Sequence, residues 1–199
     1  MRVLFLMRLL GFLLFSAGFA LGAPIVVIDA GHGGHDRGGM PGQILEEKGF
    51  ALDVARRLDS ALRRAGYTTI LTRGGDYFLT LGERAAIANR YAGRAIFVSI
   101  HFNGATNPDA HGIETYFYTG NASAQLAQSI HSRVLRATGE MDRRVRSRAF
   151  SVLRHTRMPA ALCELGFLTH RDESRNIKKS SYRQRLADAI AEGIKATRR

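Results

Sequence analysis

The clearest indication of the fold is a series of short apolar runs that alternate with segments of helical periodicity. The residues Ile25–Ile28 form a continuous β-branched run, which is typical of a strand buried on both faces of a parallel sheet. Apolar residues then recur at helical spacing from Gly49 to Ala65. Similar patterns predict strands at 68–72, 96–100, 113–118, 150–153 and 161–165, and helices opening at Thr80, running through 126–134 and starting at Ser181.

This alternation predicts an α/β fold in a single domain. We expect a mostly parallel central sheet of about six strands, with helices on both faces. Thr80 with Glu83, and Ser181 with Gln184, have the spacing of capping boxes at two helix starts. In such folds the reactive groups lie beyond the carboxyl ends of the strands.

The first 23 residues have the composition of a secretory signal peptide. Arg2 and Arg8 give a basic start, and an apolar run over residues 9–22 ends in small residues. An uncleaved membrane anchor is the alternative, although the run is shorter than the ~18 residues that span a bilayer. We therefore expect residues 24–199 to be the mature domain, exported to the periplasm, the cell wall or the medium.

The net charge indicates the kind of partner, and the cysteine content shows whether disulfides can form. The formal net charge is +12, and removal of Arg2 and Arg8 leaves +10. Outside the cell, such a charge favours an acidic envelope polymer over nucleic acid; a solvated arginine-rich surface is the alternative. Cys163 is the only cysteine, so no disulfide framework exists.

Two histidines occupy predicted strand ends. His32 follows the first strand within a glycine-rich stretch, and His101 directly follows the strand 96–100. Together with one carboxylate they would form the His₂Glu set of a catalytic zinc site. The carboxylate candidates are Asp29, Asp36, Glu46 and Glu47, and the residues alone do not choose among them. A dinucleotide-binding loop fits poorly, because Asp36 stands where its third glycine belongs.

Glu164 is the most informative single residue. Strand alternation places Leu162 and Glu164 on one face, and Ala161, Cys163 and Leu165 on the other. A lone carboxylate in an apolar strand is costly unless it is paired with a cation or used in chemistry. The same alternation points Cys163 away from Glu164, which disfavours a thiol mechanism.

These motifs resemble the zinc-dependent N-acetylmuramoyl-L-alanine amidases of the amidase-3 type. The matching stretches run from about Ile25 to Ile194 and are Val27–Gly34, Glu47-Lys48, Leu71–Arg73, Glu83–Arg90, Val98–Asn103, Leu153–Ala160 and Glu164–Leu168. Gly49 and His111 depart from the residues common in that family. Neither departure touches the ligand set that the resemblance implies.

The resemblance implies a site and an activity. His32, Glu47 and His101 match the Zn²⁺ ligands, and Glu164 matches the catalytic glutamate, which acts as general base and then protonates the leaving amine. The substrate would be peptidoglycan, cut between the N-acetylmuramoyl lactyl group and L-alanine. The competing hypotheses are a zinc peptidase acting on wall peptides and a basic binding module with structural zinc. The second lacks a fourth good protein ligand.

Two expectations concern regulation and assembly. Some members of this family carry a helical insertion that covers the zinc until a partner removes it. Here only residues 102–112 separate His101 from the next predicted strand, which is too short for a helix and its connections. We therefore expect an enzyme that needs no activator protein and acts as a monomer.

Overall fold

The computed structural model describes residues 25–40 and 43–197. The predicted signal peptide lies outside the described residues. No helix in the described ranges is long and apolar enough to cross a membrane.

The described chain contains six strands and six helices. The strands are β1 (Ile25–Ala30), β2 (Thr68–Leu71), β3 (Ala95–Asn103), β4 (Ile113–Phe117), β5 (Asp142–Ser147) and β6 (Ala160–Phe167). The helices are α1 (Glu47–Arg64), α2 (Leu81–Asn89), α3 (Asn121–Thr138), α4 (Ser151–His155), α5 (Arg171–Lys178) and α6 (Ser180–Ala196). Strands and helices alternate except that β3 directly precedes β4 and α5 directly precedes α6.

The strands form one sheet in the order β2-β1-β3-β6-β4-β5. All neighbours are parallel except β4 and β6, which are antiparallel. The prediction of a single α/β domain with a mostly parallel, six-stranded sheet is confirmed. The carboxyl-terminal ends of β1 and β3 and the later part of β6 therefore lie side by side, at what is here called the carboxyl end of the sheet.

Both faces of the sheet are covered, as predicted. Val26, Ile28 and Val98 pack in one apolar core with buried residues of α1, α3 and α6. Val27 and Phe97 lie in a second core with residues of α2 and α4. The inward and outward alternation of the strands thus builds the two cores directly from the sequence pattern.

Four local features differ from the predictions. Residues 150–153 do not form a strand; Val152 and Leu153 are buried from the short helix α4. Strand β5 was missed because it is an arginine-rich edge strand with mostly exposed side chains, and the short helix α5 was missed as well. Gln184 caps no helix, since α6 begins at Ser180 after Lys179 and has no side-chain cap. The capping box of Thr80 and Glu83 is confirmed.

Candidate metal centre and active site

Three predicted metal ligands lie close together at the carboxyl end of the sheet. His32 follows β1, Glu47 is the first residue of α1, and His101 lies near the end of β3. Their ligand atoms all lie within 4.8 Å of one another. Glu47 bridges the two imidazoles: its Oε2 is 3.1 Å from His32 Nε2, and its Oε1 is 2.8 Å from His101 Nδ1.

The electrostatics of this cluster fit a divalent cation. Burial of Glu47 opposes its ionisation, but hydrogen bonds with His101 and His32 outweigh burial and lower its pKa to about 2. Burial likewise opposes protonation of His101, yet its bond to Glu47 raises its pKa to about 9. The buried Glu47 carboxylate thus stabilises positive charge on the two imidazoles next to it. Two imidazole nitrogens and one carboxylate are the donor set of a catalytic metal site.

Asp36 orients one of these imidazoles. Its Oδ2 lies 2.8 Å from His32 Nδ1, so His32 presents Nε2 to Glu47. Its Oδ1 accepts a hydrogen bond from the backbone N–H of Gly38. Such a carboxylate behind a metal-binding histidine fixes the ring orientation. Asp36 was one of the carboxylate candidates for the ligand set; the structure places it behind His32 instead.

Two buried arginines hold the backbone that carries His32. Arg84 donates to the carbonyls of Ala30 and His32, and Arg73 donates to those of Ala30 and Gly31. This support matters because His32 has φ 60, a conformation that non-glycine residues seldom adopt.

Asp29, another of the carboxylate candidates for the ligand set, lies outside the cluster and forms no hydrogen bond with either histidine ring among the described residues. It accepts hydrogen bonds from Arg84, Thr72 and Ser99 instead. It therefore neutralises the arginine that shapes the loop. Arg73 and Arg84 both lie in motifs that match the family, but their residue types alone indicate no role for them.

Glu164 lies beside the ligand cluster. It pairs in register with His101 on β3 and with Glu114 on β4. Its Oε2 is buried and has no hydrogen-bond partner among the described residues. Burial, with a smaller contribution from the charges of Glu47 and Glu114 that outweighs the opposing effect of His101, raises the pKa of Glu164 to about 7. A carboxyl group with this pKa can both accept and return a proton near neutral pH.

An open cleft connects this cluster to solvent. It has a volume of about 310 Å³, and His32, Glu47, His101 and Glu164 all line it. Cys163 faces the opposite core and is fully buried, and burial raises the pKa of its thiol to about 12. The thiol mechanism disfavoured by strand alternation therefore has no support in the geometry.

The fold and the site together define a class: a single α/β domain with a candidate His₂Glu metal centre and an adjacent buried glutamate. A family model described as N-acetylmuramoyl-L-alanine amidase matches residues 26–196. The chain belongs to this family.

The chain is similar to several known proteins, amidases among them. The uncharacterized protein YqiI of Bacillus subtilis (strain 168) is 40% identical over 173 residues, covering 85% of this chain and 82% of YqiI. N-acetylmuramoyl-L-alanine amidase LytC of the same organism is 34% identical, and the match covers 84% of this chain but 34% of LytC. The catalytic domain of the amidase CwlV from Bacillus (Paenibacillus) polymyxa var. colistinus superposes with a TM-score of 0.81 at 37% identity, covering 87% and 97% of the two chains.

Proposed function

We propose that this chain is a Zn²⁺-dependent hydrolase that cuts the amide bond between the N-acetylmuramoyl lactyl group and L-alanine in peptidoglycan. The observation that carries the proposal is the convergence of His32, Glu47 and His101 beside the unpartnered Oε2 of Glu164. Family membership supports the bond type, since the match spans nearly all of the described domain.

In this proposal His32, Glu47 and His101 hold the ion. Zn²⁺ bound there would supply Lewis-acid stabilisation of negative charge on the scissile carbonyl oxygen. Asp36 keeps Nε2 of His32 directed at the site, and the backbone N–H of Phe102 fixes Oε1 of Glu47 at 2.9 Å. The ligand side chains are therefore oriented before any substrate enters.

Glu164 moves the proton. Its free Oε2 accepts a proton from the attacking water as the carbon–oxygen bond forms, and then delivers this proton to the amide nitrogen as the carbon–nitrogen bond breaks. The products are a lactyl carboxylic acid, which loses its proton to solvent at neutral pH, and a free amine on L-alanine. An amine leaves poorly unless it is protonated, so one carboxyl group serves both steps.

The cellular setting follows from the proposed substrate. We propose that residues 1–23 direct export and that residues 24–199 form the catalytic domain, which works in the periplasm or cell wall as a monomer. Peptidoglycan is the proposed partner, acidic envelope polymers are further partners, and nucleic acid is not a partner.

Digestion of purified peptidoglycan tests the proposal. We expect release of intact stem peptides with free L-alanine amino termini, loss of activity with a chelator, and recovery with added Zn²⁺. Mass analysis of the products also separates the two enzymatic hypotheses. Cleavage only between amino acids would identify a peptidase instead, and no release of material under any metal condition would leave a binding module.

A further inference from the structure

Half of the formal charge of the chain is concentrated in one short segment. Residues 143–157 contain six arginines and no acidic residue, against a net charge of +12 for all 199 residues. Arg143 and Arg146 are committed to Glu114. Arg154 and Arg157 are exposed, and neither forms an ion pair with an acidic side chain in the part of the chain that the structure describes.

These two arginines line a cavity of about 350 Å³, here called the basic cavity. Its other walls include Tyr118, Gly120 and Ala160, and none of its lining residues is acidic. Two arginines and no acidic residue in its lining favour an anionic ligand with planar oxygens, above all a carboxylate. Both arginines are anchored by their backbone N–H groups, Arg154 to Phe150 O and Arg157 to Asn89 Oδ1.

The basic cavity lies at a definite distance from the catalytic cleft. Ala160, in the cavity wall, and Glu164 are four residues apart on the same strand, which corresponds to about 13 Å. Helix α4 joins the two sites: Ser151 and Val152 line the cleft, whereas Leu153 and Arg154 line the basic cavity.

A partly exposed aromatic side chain lies at each of the two sites. Phe150 lines the cleft, is 40% exposed and packs edge-on against Tyr116. Tyr118 follows Tyr116 by two residues, is 36% exposed and lines the basic cavity. A bound peptide stem that extends out of the cleft would therefore pass over partly apolar surface before it reaches the two arginines.

We propose that the basic cavity is a subsite for the terminal carboxylate of the peptide stem whose amide is being cut. This inference rests on the proposed function and adds a specificity to it. An extended peptide of about four residues spans 13 Å or so, whereas a stem of two residues does not reach. The enzyme therefore selects stems by length and by their free carboxyl end.

The test uses soluble muramoyl peptides with stems of two to five residues. For the wild type we expect kcat/KM to rise about 5- to 30-fold once the stem reaches the basic cavity, mainly through KM. The double variant Arg154→Gln/Arg157→Gln should lose this gain on long stems and change less than about twofold on the shortest stem. Amidation of the terminal carboxylate should reproduce the loss in the wild type and add nothing in the variant.

The matched control is Arg64→Gln/Arg136→Gln, which removes the same charge from exposed positions on α1 and α3. We expect it to keep the dependence on stem length. Binding of the same peptides to the Glu164→Gln variant reports the subsite without hydrolysis. Equal losses on every stem length, or no effect of amidation, would overturn the subsite. Failure of the wild type to cut any stem, with length-dependent binding retained, would instead overturn the proposed function alone.

Discussion

Asp36 shows how a residue outside the ligand set can control the proposed metal centre. We expect Asp36→Ala to weaken zinc binding by about 10- to 100-fold, because His32 loses the partner that orients its ring. Titration with a competing zinc chelator measures this change. Glu46→Ala is the control, since Glu46 neighbours a ligand but pairs with Arg37 and Lys48 at the surface. Unchanged zinc affinity in Asp36→Ala would contradict the orienting role.

Gly31 leaves the space that the His101 ring occupies. A Cβ at Gly31 would stand 2.6 Å from both ring nitrogens of His101. We expect Gly31→Ala to displace the imidazole and to lower both bound zinc and turnover by at least tenfold. Gly49→Ala is the control, because its Cβ would meet nothing within 4 Å, and it should keep full activity. Normal zinc content in Gly31→Ala would show that the ring position is not critical.

At the scale of elements, the two predicted capping boxes give a direct comparison. Thr80 accepts from the N–H of Glu83, and Glu83 accepts from the N–H of Thr80. Thr80→Ala should therefore lower the free energy of unfolding by about 1 kcal/mol. Ser181→Ala should change it by less than about 0.5 kcal/mol, since Lys179 precedes α6 and no side chain caps it. Denaturant unfolding measures both values, and equal losses would contradict the assignment of the caps.

Elements with strong periodicity could be predicted from the sequence. The strands β1, β3 and β6 are buried on both faces, so their apolar runs carry a clear signal. Strand β5 has no such signal, because it lies at the sheet edge and most of its side chains are exposed and polar. The four-residue segment 150–153 is too short for its period to separate a strand from a helix.

Only the site residues in or next to the predicted strands could be identified from sequence patterns. His32, His101 and Glu164 follow from the rule that reactive groups cluster at one edge of the sheet. Residue types alone left four carboxylates open, because the position of Glu47 depends on how α1 packs over β1 and β3. The roles of Asp36, Arg73 and Arg84 depend on side-chain geometry within a loop, for which a single sequence has no periodic signal.

At the scale of the whole molecule, we expect substrate to reach the cleft without the help of a partner protein. All residues from Gly104 to Gly112, between β3 and β4, are described and form a loop without a helix. We expect the chain from Pro24 onward to cleave soluble muropeptides with Zn²⁺ and no other protein. Inactivity of the zinc-loaded chain until a partner protein is added would contradict this open-cleft account.

In the proposed mechanism three residues bind the metal and one transfers the proton. Zinc content and turnover, measured together in His101→Ala and Glu164→Gln, test it most directly. We predict that His101→Ala loses both zinc and activity while keeping its fold by circular dichroism. Glu164→Gln should keep zinc, because its amide replaces no ligand, and lose about 10²- to 10⁴-fold in turnover. Full zinc in His101→Ala, or loss of zinc or near-normal turnover in Glu164→Gln, would contradict the account.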